Sequence, residues 1–388
     1  MPPTMVRALG LLPARPLAAG LLAAGSVAAI TYLRRQFVRR SSTRPTAIFF
    51  GPAIEFKDAV KDKLRTEWNM EALDPARAQE QLQGATALVG GLAAANDHLR
   101  ASGPNLRLLN CHFTGVDWLD KSAVPQGVPV CNATGFEVPI AEWVIGTMLR
   151  QIDRINEEDA SMRASLMAAA ASGSDMGFAP PFFKQPPPPS RAELSGATVG
   201  IVGYGLIGKE IAHRAAAFGC TVIGTVGRAK PPRKPSELAW LGGGGDLHKL
   251  LSESDYVVLA CPLTERTKGL VGAAELRIMK RGAYLVNIAR GPVVDEAALY
   301  AALTDGTLAG AAIDVWWRLP NVAGGQRECA PYDLKAHPFH ELPHVTLSPH
   351  TSGWTAAQFT RRQSIVARNL DAVAEGRNPS NVVYWGGS

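Results

Sequence analysis

Acidic side chains and lysine are both missing from the first 44 residues, where Arg7, Arg15, Arg34, Arg35, Arg39, Arg40 and Arg44 carry all the charge. The 388-residue chain has a formal net charge of +6, but of its 40 basic side chains seven lie in this leader, which leaves 33 against all 34 acids in the remainder. A nearly neutral body excludes a broad polyanion-binding face and argues against nucleic acid as a partner. Cysteine is scarce: Cys111, Cys131, Cys220, Cys261 and Cys329 are odd in number and form no C-x-x-C pair. That excludes a disulfide framework and fits buried thiols in a reducing compartment. Long apolar runs are also lacking, with one exception. Leu17 to Leu33 is uncharged, at the lower edge of membrane-spanning length, and rich in Ala and Gly.

The Ala-, Leu- and Arg-rich leader, residues 1–44, fits an organellar transit peptide, mitochondrial or plastid. A single membrane anchor through residues 17–33 is the alternative, with the arginines from Arg34 to Arg44 holding the body on the cytoplasmic or matrix side. A secretory signal or a plain tail comes after these. The chain ends G-G-S, which lacks a peroxisomal S-K-L-like signal.

At 46% hydrophobic and 19% charged residues, the body is that of a folded protein long enough for two domains. From Thr46 onward short apolar runs alternate with helical patterns, the signature of an α/β fold with a mainly parallel sheet. Strands are expected at Ala47–Phe50, Ala87–Val89, Leu106–Asn110 and Val128–Asn132, with a helix at Phe56–Arg65 and another from Pro139 through Ile152. Ala168–Gly173 and the tract Pro180–Pro189 read as a linker-like insert near 168–190, a stiff spacer rather than an SH3-type ligand.

A second α/β unit opens at Ala197. Val199–Val202 reads as a buried strand, followed by Gly203, Gly205 and Gly208 in G-x-G-x-x-G spacing and the apolar helix face Ile211, Ala212, Ala215. The first glycine makes a tight turn, the second lets backbone approach a pyrophosphate, and the third lets the helix pack closely with its amides aimed at the anion. The next strand, Thr221–Val226, ends without the acid that would hold an NAD ribose; Val226 stands there, with Arg228 and Lys230 beyond. Cations without an acid favour a 2′-phosphate, so the cofactor is expected to be NADP or NAD, with Arg228 leaning the choice to NADP.

Four further segments close the sequence reading. S-D-Y-V-V-L-A-C-P-L-T-E-R-T-K-G-L, G-A-Y-L-V-N-I-A-R-G-P-V-V-D-E-A-A-L-Y-A-A-L, L-A-G-A-A-I-D-V-W and L-S-P-H-T-S-G-W follow in order. Together with T-G-V-D at Thr114–Asp117, they resemble the D-isomer-specific 2-hydroxyacid dehydrogenases over Ala47–Tyr384. That family includes glyoxylate/hydroxypyruvate reductases, phosphoglycerate dehydrogenases and formate dehydrogenases. The resemblance implies two Rossmann-like doubly wound domains with a cleft between them: a substrate domain of residues 46–148 plus 355–388, and a dinucleotide domain of residues 149–353. It also implies a homodimer, and hydride transfer between a nicotinamide and a small 2-keto or 2-hydroxy acid. Arg290 falls on the family's substrate arginine and His350 on its proton donor. Cofactor contacts carry over onto Thr114, Leu206, Ile207, Pro262, Ile288, Ala289, Arg290, Asp314 and His350. Gly90 and Gly91, after a strand, can present amides to the substrate carboxylate or form a simple turn. One departure stands out: Leu319 occupies the position of the glutamate that partners the histidine, unless Glu328 or Asp333 comes into range. Phosphoglycerate or formate oxidation, or a catalytically weak nucleotide-binding scaffold of the co-repressor kind, are the alternative functions. His337, His340 and His344 lack companion ligands at metal spacing, so no metal is expected.

Overall fold

The computed structural model describes residues 44–92, 94–153, 155–172, 192–227, 234–318 and 330–387. Residues 1–43 of the leader, the Pro-rich tract, Arg228, Lys230, Leu319, Glu328 and Cys329 lie outside the described residues.

Strands β1 (Thr46–Phe49), β2 (Asn69–Ala72), β3 (Ala87–Gly90), β4 (Leu108–Cys111) and β5 (Pro129–Cys131) alternate with helices α1 (Lys57–Lys61), α2 (Ala78–Gly84) and α3 (Ala94–Ala101). They pair in parallel in the order β2-β1-β3-β4-β5. Ala47, Ile48 and Phe49 are fully buried, as befits a parallel strand covered on both faces. β2 was not anticipated: at this edge Asn69, Met70, Glu71 and Ala72 present no apolar run. The helix expected at Phe56–Arg65 is a 3-10 turn, Gly51–Phe56, continued by α1.

The chain then enters α4 (Glu137–Ile152) and α5 (Ile155–Ser172), and a second sheet follows. It comprises β6 (Thr198–Val202), β7 (Thr221–Thr225), β8 (Trp240–Gly242), β9 (Tyr256–Leu259), β10 (Ala283–Asn287), β11 (Leu308–Ile313) and β12 (Val345–Leu347). Its helices are α6 (Leu206–Ala217), α7 (Leu247–Glu253), α8 (Ala273–Ile278) and α9 (Glu296–Thr304). All seven strands are parallel, in the order β8-β7-β6-β9-β10-β11-β12. Finally α10 (Ala356–Ala374) returns to the first sheet, burying Val366, Ala367 and Leu370 against Ala47 and Phe49. The last strand, β13 (Val382–Trp385), adds antiparallel to β5.

Packing revises two expected boundaries. Ala141, Val144, Ile145 and Met148 recur at helical spacing along α4 and join the core of Val199, Ile201 and Ile211, so the crossover to the second sheet precedes α4 instead of following Met148. Residues 168–172, expected as linker, complete α5. They are alanine and serine, which propagate a helix as readily as they form a spacer. α5 leaves Ile155, Leu166 and Met167 exposed.

Each sheet reverses its winding once, between β1 and β3 in the first and between β6 and β9 in the second. Such points open a crevice beyond the carboxyl ends of the strands. Among the described residues, no helix is long and apolar enough to cross a membrane.

Candidate active site

The turn after β6 requires its glycines for three separate reasons. Gly203 has φ +102°, and a Cβ there would lie 2.6 Å from the Cys261 nitrogen across the switch point. At Gly208 a Cβ would come within 2.7 Å of the Gly203 carbonyl oxygen, so only glycine lets α6 approach the turn. Gly205 is different: it is the N-cap of α6, no side chain caps that end, and a Cβ would meet nothing within 4 Å. Open space over uncapped amides at a helix N-terminus is what a pyrophosphate needs. Leu206 is exposed beside it, Ile207 is half-buried, and Pro262 lies exposed just past Cys261. Ile288 and Ala289 bury their side chains and their amides bond Leu259 and Asn287, so their carbonyls are what they can offer a ligand. These residues fit a dinucleotide. Val226 is buried at the end of β7. A carboxylate without a sequence signal stands nearby: Glu237 accepts a hydrogen bond from the Tyr204 hydroxyl within the turn. That donation lowers its pKa, while burial raises that of Tyr204.

Arg290 is placed by the end of β10. Buried Asn287 donates from Nδ2 to the Arg290 carbonyl at 3.1 Å and accepts the Ala289 amide at 3.1 Å, clamping the turn between them. Gly291 is obligatory, because a Cβ would fall 2.2 Å from the Trp316 carbonyl carbon. The guanidinium then reaches residues beyond the other sheet. Its Nη2 donates to Asp117 Oδ1 at 2.8 Å and its Nε to the same oxygen at 3.2 Å, while Nη1 donates to the Ala289 carbonyl at 2.8 Å.

Asp314 follows β11 directly and is almost wholly buried. Its Oδ1 accepts from the Ser348 hydroxyl at 2.7 Å and from the amides of Thr351 and Ser352 at 2.9 and 3.2 Å, and its Oδ2 accepts the Ser352 hydroxyl. The Trp316 indole donates to the Ser348 carbonyl at 3.0 Å. The loop held this way carries His350 at φ +61°, a left-handed conformation that a non-glycine residue adopts only when its surroundings impose it. Asp314 was expected at the nicotinamide carboxamide; in this structure its carboxylate holds the histidine loop. His350 is exposed as a residue. Partial desolvation lowers its pKa from 6.5 and the charge of Arg290 adds to this, while Asp314 and Asp117 pull the other way. Asp333, considered as a stand-in for the missing glutamate, is committed elsewhere: its Oδ1 accepts the amides of Lys335 and Ala336, and Oδ2 lies 3.6 Å from Arg318.

The first sheet supplies the opposite wall. A Cβ on Gly90 would collide with the Phe50 ring at 2.4 Å, and Gly91 abuts Phe113 and Trp118. Leu92, the next residue, has φ +71°. The Thr114 hydroxyl donates to the Ala133 carbonyl at 3.1 Å, and Asn132 Nδ2 donates to the Thr114 carbonyl at 2.8 Å. Behind them His112 is buried, and burial followed by the charge of Arg362 pushes its pKa down to about 4, despite the Gly90 backbone facing it. The three histidines near residue 340 are drawn into other contacts or burial. His337 Nδ1 lies 2.9 Å from Glu296, His340 Nδ1 lies 3.2 Å from the Tyr332 hydroxyl, and the His344 Nε2 is buried.

Comparison with known proteins bears on this arrangement. The profile of the D-isomer specific 2-hydroxyacid dehydrogenase NAD binding domain matches residues 145–352, over half of the chain. The chain belongs to the D-isomer specific 2-hydroxyacid dehydrogenase family. It is an NAD(P)-binding oxidoreductase acting on a CH–OH group. Glycerate dehydrogenase of Methylorubrum extorquens is 32% identical over 354 residues, 89% of this chain and 98% of that protein. Glyoxylate reductase of Thermococcus litoralis is 33% identical over 287 residues, 74% of this chain and 79% of that protein. The D-isomer specific 2-hydroxyacid dehydrogenase of Xanthobacter autotrophicus, solved with NADPH and MES, shares the fold with a TM-score of 0.65 at 23% identity, covering 88% of this chain and 98% of that one. The profile begins within α4, in keeping with the packing of that helix on the second sheet.

Proposed function

We infer that this dehydrogenase reduces a small 2-keto acid of the glyoxylate or hydroxypyruvate type, with Arg290 binding the carboxylate and His350 giving the proton. The observation that carries this reading is convergence. Arg290 after β10, His350 after β12 and the glycine turn after β6 all lie beyond the same ends of one parallel sheet, and Arg290 reaches the wall opposite. A nicotinamide dinucleotide bound over Gly205 supplies the hydride. Arg290 neutralises the substrate carboxylate and orients the carbonyl. The His350 ring protonates the oxygen as charge develops there, and a lowered pKa makes it a ready donor once it carries a proton. Gly90 and Gly91 offer backbone amides to the carboxylate from the first sheet.

NADPH is the favoured reductant, because Val226 places no acid at the end of β7 and Arg228 follows it. Glu237 beside Tyr204 weighs against a large preference. The exposed apolar side chains of α5 support a homodimer, and the acid-free leader supports delivery to a mitochondrion or plastid, with an anchor through residues 17–33 as the alternative. Steady-state assays of the chain without residues 1–44, with NADPH and NADH against a panel of 2-keto acids and the reverse panel of phosphoglycerate and formate, test the reading. Activity confined to phosphoglycerate or formate, or cofactor binding with no turnover, would overturn it. Fusing residues 1–44 to a fluorescent protein tests the targeting.

A further inference from the structure

We propose that Asp117 is a positioning residue for Arg290 and a filter that reserves the site for substrates with a single negative charge; this rests on the carboxylate-binding role given to Arg290 above. A guanidinium has five N–H groups. Asp117 takes the Nε edge, with Nη2 at 2.8 Å and Nε at 3.2 Å from Oδ1, and the Ala289 carbonyl takes one Nη1 hydrogen at 2.8 Å. One N–H remains on each terminal nitrogen, and among the described residues no acceptor takes either. Those two donors form the end of the fork, the pair that receives a carboxylate with both oxygens. Held on its side and its base, the guanidinium is ready for that acceptor before substrate arrives.

Gly115 makes the arrangement sterically feasible, since a Cβ there would lie 1.7 Å from Arg290 Nη2. The T-G-V-D segment thus contributes both the space and the counter-charge. Asp117 also sets the charge balance. The two side chains are 27% and 28% exposed and Asp117 sits at the rim of the cleft, so solvent screens their charges in part and a charge at contact distance still feels them. Together they sum to zero. One substrate carboxylate engages the open fork, but a second carboxylate or a phosphate on the same small molecule faces the Asp117 charge at close range. Single-charged 2-keto acids are therefore favoured over dicarboxylic and phosphorylated ones.

The test compares wild type, Asp117→Asn and Asp117→Glu, each loaded with NADPH. Calorimetric titration is done with oxamate, which carries one charge, and with oxalate, which carries two; glyoxylate kinetics are run in parallel. Asp117→Asn is expected to shift the oxalate-to-oxamate affinity ratio toward oxalate by about tenfold, the effect of one charge–charge contact near a protein surface. It should raise the KM for glyoxylate about tenfold with kcat changed less than about threefold, the loss of one charge-assisted hydrogen bond. Asp117→Glu should restore the binding ratio. An unchanged ratio, or a kcat that falls as far as KM rises, overturns the proposal. If the ratio shifts as expected while no 2-keto acid is reduced, the proposed function falls and the role of Asp117 in anion binding stands.

Discussion

Asp314 and Ser348 share a buried 2.7 Å hydrogen bond that closes the loop carrying His350. The same carboxylate accepts the amides of Thr351 and Ser352, so the loop that carries His350 is held at three positions around that residue. The left-handed φ of His350 is the local cost of that grip.

Replacing this anchor should therefore act through the loop. Asp314→Asn turns one acceptor into a donor that faces the Thr351 and Ser352 donors. We expect a stability loss of about 2–3 kcal/mol, the range for leaving buried hydrogen-bonding groups unsatisfied. kcat should fall at least tenfold while NADPH affinity in a fluorescence titration falls less. Equal losses in both would return Asp314 to a direct cofactor role.

The lowered pKa of His350 has a signed consequence. The protonated ring needed for reduction is depleted as pH rises through a value below 6.5, so kcat/KM for 2-keto acid reduction should fall across that limb, while oxidation of the hydroxy acid, which needs a neutral ring, should rise over it. Leu319→Glu, restoring the family's carboxylate, should move the limb upward. A pH–rate profile identical in wild type and variant would contradict this.

Gly115→Ala places a methyl group where Arg290 Nη2 sits. Arg290 must swing away and lose its bonds to Asp117, so kcat/KM should drop roughly 10- to 100-fold, the value of one charge-assisted contact. Cofactor affinity should fall much less, because the glycine turn that would hold the pyrophosphate lies on the other sheet. Calorimetry with NADPH checks the second half.

Away from the site, Asp371 ties α10 to the loop after α1. It is fully buried and accepts the amides of Arg65 and Thr66 at 3.1 and 3.0 Å and the Thr66 hydroxyl at 2.6 Å. Burial alone would raise its pKa, but these donors outweigh it and hold the pKa below 3.8. A depressed native pKa contributes stability that is complete above the unfolded value and is lost as pH falls through the native one. Asp371→Asn should lower the urea midpoint at pH 7 by the equivalent of about 2–3 kcal/mol, with a smaller difference from wild type at pH 3.

Much of this was legible in the sequence because it rests on local chemistry. The strand and glycine spacing at Val199–Gly208 encode a turn with one structural solution, and the N-I-A-R-G and S-P-H segments mark the loops after β10 and β12. What was not legible depends on contacts between distant segments. The half-exposed edge strand Asn69–Ala72 has no apolar signature and forms only because β1 offers it a partner. The α4 helix reads equally well against either sheet until its apolar stripe meets Val199 and Ile211. Asp117 was visible as part of T-G-V-D, but its bond to Arg290 joins residues 173 apart in the chain, and Glu237 lay beyond the strand end where an acid was sought.

The most direct test is the oxidation of NADPH or NADH by glyoxylate and hydroxypyruvate, measured for the chain without residues 1–44 and for the same chain carrying Arg290→Ala. The account predicts turnover in the ordinary range for such enzymes, on the order of 1–1,000 per second, for the first, and a loss of kcat/KM of at least about 100-fold, with cofactor binding retained, for the second. Tight cofactor binding without turnover in the parent chain, or an undiminished rate in the variant, would contradict it.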